Sequence, residues 1–483
     1  MEQTSSAAYP NVLVADYVKK ARVANPQILM KAEQFLNVGY QKLLTFERPG
    51  GGFDWWGNGE PLIWLSAYGL QEFSDMAKVY PIDRGIIDRT HGFLMRKMDK
   101  DGTWSAIGAT HGETIERMGN PKLLLTSYVT WSLLDSGMDK KQLATSVKYI
   151  RDNLGAAGDN AYILALAANA LAAYDAKDDS TLEAVRKLAK LRQEMPDWKA
   201  VRFPAKGMSL TYAHGDGATV ETTALAAMAM IRTGEFTNDA NQALTFLIKS
   251  KQGNGTWGST QGTILALKAL IAGMGASPVK GITHFTISVN GKEAAHSKVD
   301  EDNADVMQTF ELAKFIKTGA NQVEIAVDGE TNLMYQIVGR YFEPWKEKVA
   351  AEKPVLEVAV DYDRTKLTTS DTLHAKATLK YHGKTPTYMV MLDLGIAPGF
   401  VVDPGDFAEM VAKKQIQRFT VTARTVTLYL GDVKPDDVLT FEYSLKAKHA
   451  LRARSAPTVA YEYYTPANRA LAAPVELTVT EKK

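Results

Sequence analysis

The chain has 483 residues, of which 45% are apolar and 23% charged, and this composition excludes an intrinsically disordered protein. Its 56 basic and 55 acidic side chains nearly cancel, so no overall charge favours nucleic acid or an anionic membrane as a partner. The complete absence of cysteine excludes disulfides, thiolate nucleophiles and cysteine-ligated metals within these residues.

The length predicts about two to four domains, and the first part of the chain has a helical hydrophobic period. Five segments are apolar on nearly every face, which is typical of helices buried on all sides. They are Pro61–Met76, Lys122–Leu134, Ala161–Tyr174, Glu221–Ile231 and Gln261–Ile271. Segments between them, such as Asp139–Leu154, are apolar on one face only and predict outer helices. None of these stretches has the length and apolarity of a membrane span.

Three loops that combine glycine with an aromatic residue precede buried segments and resemble one another. They are Gly51–Gly57, Asp101–Ser105 and Asn254–Ser259. The buried segments recur at intervals of roughly 40 to 60 residues, which indicates a repeated helical hairpin. We therefore expect residues 1–277 to form an all-α ring of hairpins, an α/α toroid. An open superhelix of helical repeats is the competing arrangement.

After residue 277 the hydrophobic period changes from 3.6 to 2, which predicts strands. Phe285–Val289, followed by Asn290 and Gly291, predicts a strand that enters a tight hairpin, and Gln322–Val327 predicts another strand. So few strands rarely form a stable domain alone, so residues 278–346 are expected to be part of a β domain.

Residues 347–483 predict a second, larger all-β domain. Its strands are predicted at Leu356–Tyr362, Thr387–Leu394, Gln417–Leu430, Val438–Ala447 and Ala456–Tyr464. One short helix is predicted around Asp406–Lys414. This pattern favours a β-sandwich with an inserted helix.

The usual catalytic motifs are missing from the sequence. It has no phosphate loop, zinc-hydrolase motif, nucleophile elbow or dinucleotide fingerprint. A toroid enzyme would need clustered carboxylates, but the only adjacent acidic pairs, Asp178–Asp179 and Asp436–Asp437, are interpreted as solvated charge. No two histidines have metal-ligand spacing, so neither a metal nor a cofactor is expected. His111 and His214 each lie in a loop before a predicted inner helix and are the histidines most suited to a functional role.

The first residues resemble a known motif. Glu2-Gln3-Thr4, followed by Tyr9-Pro10-Asn11, resembles the stretch after the reactive cysteine in the C-x-E-Q motif of α2-macroglobulins and complement thioester proteins. The resemblance continues in order through Gly51–Phe53, Trp64–Tyr68, Asp101–Trp104, Leu125–Val129, Glu221–Ala224 and Gly255–Gln261. Met389–Leu394 and Pro398–Phe400 resemble the receptor-binding, or last macroglobulin-like, domain of that family. The resemblance covers nearly the whole chain.

This resemblance implies a thioester between a cysteine and Gln3, with Glu2 as part of the motif. A thioester is an activated acyl group because a thiolate of pKa about 8.5 leaves far more readily than an alkoxide. The motif spacing puts the cysteine one residue before Met1, so the chain is expected to be a C-terminal part of a longer protein. Residues 278–346 would then be the second half of a split CUB-like domain.

The resemblance also implies roles for four further residues. His111 matches the histidine that attacks the thioester in members preferring hydroxyl targets. Its loop differs in length by about one residue, so a preference for amines stays open. Met389, Tyr429 and Tyr463 match positions that shield the thioester before activation.

The function implied is a broad-spectrum, covalent-trap protease inhibitor rather than an enzyme. Its partners would be target proteases and the remaining macroglobulin-like domains. The lack of cysteine in the C-terminal β domain indicates a bacterial member, periplasmic or at the cell surface. Two alternatives are an α/α-toroid enzyme acting on a lipid or glycan, and a scaffold module with a degenerate thioester site.

Overall fold

The structure is a computed structural model that describes residues 1–20, 26–105, 119–252, 255–274, 281–300, 303, 308–329, 335, 337–339 and 354–482. The chain divides into two compact units. The first unit comprises Met1–Leu210 and Ala218–Gly339, and the second comprises Thr211–Gly217 and Arg340–Lys483. The proposed boundaries near residues 277 and 346 stay a prediction.

Helices dominate the first unit. In chain order they are α1 (Glu2–Lys20), α2 (Pro26–Leu44), α3 (Ile63–Met76), α4 (Gly85–Arg96), α5 (Pro121–Asp135), α6 (Ala144–Asn153), α7 (Ala161–Tyr174), α8 (Asp179–Ala189), α9 (Gly215–Thr233), α10 (Thr237–Ser250) and α11 (Thr260–Met274). Four of the odd-numbered helices, α3, α5, α7 and α9, are buried over most of their length; in α7, residues 161–172 are buried without exception. This confirms the prediction of inner helices drawn from all-round apolarity.

The inner helices follow one another around a closed ring. Helix α1 packs against α3, α3 against α5, and α5 against α7. Asn169 of α7 donates to the backbone carbonyl of Leu225 in α9 at 2.8 Å, and Ser259, just before α11, donates to Glu221 of α9. Helix α11 then packs against α1. The helices of the first unit therefore form an α/α toroid, and the prediction of an open superhelix is wrong.

Outer helices bury a single face, as the sequence predicts. Around α6, the residues Leu143, Val147, Ile150 and Leu154 are buried at spacings of 4, 3 and 4. The glycine-tryptophan loops connect outer to inner helices in the same way twice. The buried indole of Trp104 donates to the carbonyl of Leu94 in α4, and that of Trp257 donates to Leu247 in α10. Each indole N–H thus supplies a hydrogen bond to a backbone carbonyl near the C-terminal end of the preceding outer helix.

Two small sheets also belong to the first unit. Strands β1 (Gln193–Met195) and β2 (Ala200–Arg202) form a hairpin that the sequence did not predict. Strands β3 (Thr283–Val289), β4 (Lys292–Val299) and β5 (Val323–Asp328) form a sheet of order β4-β3-β5. The β3–β4 turn has φ of 52° at Asn290 and 78° at Gly291, which confirms the tight hairpin.

The second unit is mainly β. Its strands are β6 (Leu356–Tyr362), β7 (Lys366–Thr368), β8 (Thr372–Tyr381), β9 (Thr387–Gly395), β10 (Phe400–Val402), β11 (Arg418–Val421), β12 (Thr425–Val433), β13 (Val438–Ala447), β14 (Leu451–Arg454), β15 (Thr458–Glu462), β16 (Thr465–Ala472) and β17 (Glu476–Thr480). They form sheets of order β10-β13-β8-β6, β11-β12-β9-β15-β16 and β14-β17-β7. One apolar core contains buried residues from all three sheets. Helix α12 (Pro404–Ala412) confirms the inserted helix.

Candidate functional site

The first turn of α1 places Gln3. The backbone N–H groups of Thr4 and Ser5 donate to the carbonyl of Met1 at 3.0 and 3.1 Å, so helical bonding starts at the first residue. The terminal ammonium of Met1 donates to the carbonyl of Trp55 at 2.6 Å. Glu2 is buried, whereas Gln3 is only partly buried. The turn is therefore fixed in place, and Gln3 keeps part of its surface accessible to solvent.

Helix α3 packs beneath this turn. A side chain at Gly69 would lie 2.8 Å from the terminal methyl of Met1 and 2.7 Å from the ring of Phe53, so glycine is needed for this close approach. Next to this contact, the indoles of Trp55 and Trp64 meet edge to face with centroids 5.3 Å apart. Apolar and aromatic groups thus pack near Met1, the residue that would directly follow the predicted cysteine.

The loop that carries the Trp55 carbonyl is organised by Asp54. Its Oδ2 accepts four backbone N–H groups, those of residues 56–59, at 2.9 to 3.1 Å. Burial opposes ionisation of Asp54, but these bonds lower its pKa below the usual value. The ionised side chain therefore holds the loop in the conformation in which the Trp55 carbonyl accepts from the Met1 nitrogen.

Two carboxyl groups lie one turn apart on α3, inside the toroid. Asp75 accepts from Tyr9 at 2.7 Å and pairs with Lys268 and Lys78 at 2.8 and 2.7 Å. Burial raises the pKa of Asp75, but the two lysines bring it well below the usual range. Glu72 is fully buried, and burial raises its pKa to about 8. Neither carboxylate was predicted as a functional residue, although an acidic side chain in a helix predicted to be buried on all sides is a usable signal.

The structure describes the position of His214 but not that of His111. His111 lies within residues 106–118, outside the part of the chain that the structure describes. His214 belongs to the second unit, where its Nε2 lies 3.0 Å from Thr465 Oγ1 and 3.8 Å from Glu462 Oε2. The carboxyl of Glu462 is buried and also accepts from Asn468 at 2.6 Å. The role suggested for His111 stays a prediction.

The three predicted shield residues lie close together in the second unit. Tyr463 donates its backbone N–H to the carbonyl of Met389 at 2.9 Å. Tyr429 pairs across the sheet with Met391, while its neighbours Leu428 and Leu430 point into the core. Met389 and Tyr429 are each 5% exposed and neither belongs to that core. Their side chains therefore lie outside that core, and the shielding role stays a prediction.

Met389 also has an unusual backbone conformation. Its φ is 61°, in the left-handed region that non-glycine residues rarely adopt. Such a conformation costs free energy and persists only where the surroundings impose it. Strain of this kind is more common at functional positions than in ordinary strands.

The described residues contain neither a metal-binding cluster nor a helix suited to the membrane. No group of three or more histidine or acidic side chains is arranged around a common point in the described ranges. Within the same ranges, no helix combines the length and apolarity that crossing a bilayer requires.

Comparison with known proteins identifies the two parts of the chain separately. Residues 1–272, more than half of the chain, match the family described as the A-macroglobulin TED domain. Residues 385–473 match the A-macroglobulin receptor binding domain. Ovostatin from Gallus gallus and thioester-containing protein 1, allele R1, from Anopheles gambiae are each 23% identical over 96% of this chain. The chain spans about a third of the length of these relatives, 32% and 34%.

Solved structures share the fold. The native α2-macroglobulin of Escherichia coli, from domain MG7 to the C-terminus, superposes with a TM-score of 0.67 at 16% identity, covering 99% of this chain and 73% of that one. The Salmonella α2-macroglobulin reacted with methylamine has a TM-score of 0.66 at 15% identity, over 99% of this chain and 30% of that one. With the match over residues 1–272, these findings show that the chain belongs to the α2-macroglobulin family and corresponds to its C-terminal part.

Proposed function

We propose that this chain is the acyl-donor part of a protease-trapping inhibitor, in which Gln3 supplies the acyl carbon of a thioester. The position of Gln3 in the first turn of α1 carries this proposal. Residues three apart on a helix lie on the same face, so a cysteine one residue before Met1 would share a face with Gln3. The partly exposed Gln3 side chain would remain within reach of a nucleophile.

The proposed chemistry has two steps. In the first, the cysteine sulfur bonds to the Gln3 acyl carbon and the amide nitrogen leaves as ammonia. In the second, an amine or hydroxyl of the target bonds to that carbon, the C–S bond breaks, and the sulfur takes up the proton of the nucleophile. Each chain therefore reacts once and yields one covalent adduct and one free thiol.

The names of the relatives support this chemistry. The mosquito relative is named as a thioester-containing protein, and the Salmonella protein was solved after reaction with methylamine. In the parent protein, cleavage of a bait segment would open the trap and expose the thioester to the protease. The remaining macroglobulin-like domains would be partners of this chain. The E. coli and Salmonella neighbours, together with zero cysteines, support a bacterial protein of the periplasm or cell surface, with a role in host defence.

Auxiliary roles follow for the other predicted residues. His111 would accept the acyl group and pass it to a hydroxyl target, and without that step amines would be preferred. Met389, Tyr429 and Tyr463 would exclude water from the thioester before activation. The domains would be a thioester toroid (1–277), the second half of a CUB-like domain (278–346) and a receptor-binding β-sandwich (347–483).

The alternative of an enzyme acting on lipid or glycan is less well supported. Glu72 and Asp75 are two acids inside the toroid, which is the arrangement such an enzyme needs. However, Glu72 is fully buried, and Asp75 is engaged by Tyr9, Lys78 and Lys268. A general acid must reach the bond that it protonates, and these carboxyl groups do not reach solvent freely.

The experiment is to extend the chain with a cysteine before Met1 and add methylamine. We expect release of one thiol per chain and an N-methylamide at Gln3, detected with a thiol reagent and by peptide mass spectrometry. Gln3→Ala in the extended chain is the matched control: its free thiol should be present before methylamine is added and should not increase, and no methylamide should form. The unextended chain should show neither a thiol nor a methylamide. A folded extended chain without an adduct at Gln3 would contradict the proposal and favour a scaffold with a degenerate site.

A further inference from the structure

Glu72 lies on the face of α3 that packs against α1. One turn before it, Tyr68 is hydrogen bonded to Ser5 of α1. One turn after it, Asp75 accepts from Tyr9 of α1 at 2.7 Å. Positions 68, 72 and 75 are separated by four and three residues and share one helix face. Glu72 therefore faces the first two turns of α1, between Ser5 and Tyr9.

The environment of Glu72 disfavours a negative charge. Its exposed fraction is 0%, and neither carboxyl oxygen has a hydrogen-bond partner of standard geometry among the described residues. An uncompensated carboxylate in a protein interior is costly, so such a group normally keeps its proton. Burial raises the pKa of Glu72 to about 8, although the Ser5 hydroxyl and the Met1 ammonium both favour the ionised form.

The charged and titratable groups around this carboxyl come from four helices. On α1 and its terminus they are the Met1 ammonium, Glu2 and Tyr9; on α3, Tyr68 and Asp75; on α5, Tyr128; on α11, Lys268. Lys268 and the nearby Lys78 are engaged by Asp75. The Met1 ammonium donates to Trp55. Among these described groups, the two lysines are therefore engaged by Asp75, while the Met1 ammonium still favours the ionised form of Glu72 without offsetting its burial.

We propose that Glu72 binds a proton as part of the packing of α1 on α3, and that loss of this proton loosens the first turn of α1. This turn carries Gln3, so the proton would act as a positioning device for the acyl donor. Only this consequence for acyl transfer rests on the proposed function. The proton on Glu72 and its effect on the packing of α1 against α3 concern the chain without an added cysteine.

The first test compares thermal unfolding of the wild-type chain and Glu72→Gln from pH 5 to 9.5. The folded state holds the proton up to about pH 8, whereas an unfolded glutamate loses it near pH 4.3, so the folded state binds more protons between these values. The wild-type melting temperature should therefore fall relative to Glu72→Gln as pH rises to about 8, and the difference should then level off. Glu33→Gln, an exposed position on α2, should follow wild type throughout. A wild type that tracks Glu72→Gln at every pH would overturn the proposal.

The second test locates the effect by amide hydrogen exchange. Comparing wild type with Glu72→Gln at the same pH cancels the intrinsic pH dependence of exchange. Between pH 7 and 9, the wild-type rate for peptides of α1 and α3 should rise by about tenfold relative to the variant, since one pKa unit corresponds to a tenfold change. Peptides of α8 and α10 should show no such change. A uniform change across all helices would mean global destabilisation and would contradict a local device.

A third measurement separates this inference from the proposed function. In the chain extended with a cysteine, thiol release by methylamine is compared between wild type and Glu72→Gln at pH 7 and 9. If methylamine causes no increase in free thiol in either chain while the exchange result is intact, the thioester is rejected and the proton site stands. Thiol release without any pH-dependent difference in exchange would reject the proton site alone.

Discussion

Lys268 Nζ lies 2.8 Å from Asp75 Oδ2, and this ion pair joins the last inner helix, α11, to α3 across the closure of the ring. Both side chains are 16% exposed, so solvent screens the pair only weakly. Tyr9 of α1 donates to the same carboxylate, and its ring lies 5.3 Å from Lys268 Nζ. One carboxylate therefore connects three inner helices that are distant in sequence.

Replacing Lys268 with methionine should destabilise the first unit by about 2 kcal/mol, because Asp75 would lose its most buried charged partner. Urea unfolding followed by circular dichroism measures this. Lys78→Met is the matched control, since Lys78 contacts the same carboxylate from an exposed position and should cost less than about 1 kcal/mol. With its low pKa, Asp75 contributes stability above about pH 3.9, and this contribution is lost as pH falls further, so the two variants should converge in acid. Equal losses at neutral pH would contradict the role of burial.

Gly69→Ala should displace the first turn of α1. The new methyl group would lie within 3 Å of Phe53 and Met1, and overpacking of this kind typically costs about 1 to 3 kcal/mol. Thermal unfolding and hydrogen exchange of α1 measure the effect. Gly155→Ala is the matched control, because nothing lies within 4 Å of a side chain there, and it should leave stability nearly unchanged. Equal effects of the two variants on stability and on exchange of α1 would show that close packing at Gly69 does not position the first turn of α1.

The next prediction concerns a longer protein that contains the remaining macroglobulin-like domains and a cysteine before Met1. In that parent protein, replacing Met389 or Tyr429 with alanine should speed the spontaneous release of the thiol with little loss of thermal stability. Neither side chain belongs to the apolar core of the second unit, so core packing should be preserved. Leu428→Ala, which removes a core neighbour of Tyr429, is the control and should lower the melting temperature instead. Unchanged thiol release with a melting temperature lowered by several degrees would mean that Met389 and Tyr429 are structural.

His111→Ala in the same parent should alter target preference. If His111 forms an acyl-imidazole, the variant should lose coupling to glycerol while coupling to methylamine continues. The ratio of the two adducts at Gln3, measured by mass spectrometry, reports this. His214→Ala is the internal control and should keep the wild-type ratio. A wild-type protein that couples only to methylamine would show that the histidine is not used for transfer.

The sequence predicted helix positions in the first unit well, because a helix buried on all sides must be apolar on all sides. The repeated glycine-tryptophan loops were also visible, and the structure adds the indole-to-carbonyl bonds that explain them. Strand prediction was less complete. Strand β8 was missed although Leu373, Ala375, Ala377 and Leu379 alternate inward, and the predicted strand Gln417–Leu430 is divided into β11 and β12.

The sequence by itself determined the local features: the change from helical to strand period, the turn at Asn290, and a resemblance to the family motif around Gln3 that stays a prediction. Periodicity and turn propensity are properties of neighbouring residues, so they can be read along one chain. Only the tertiary structure decided that Asp75 meets Lys268, that His214 lies beside Glu462, and that Glu72 loses all contact with solvent. These outcomes depend on which helix faces and loops meet across distances of up to about 250 residues, and local sequence does not encode such pairings.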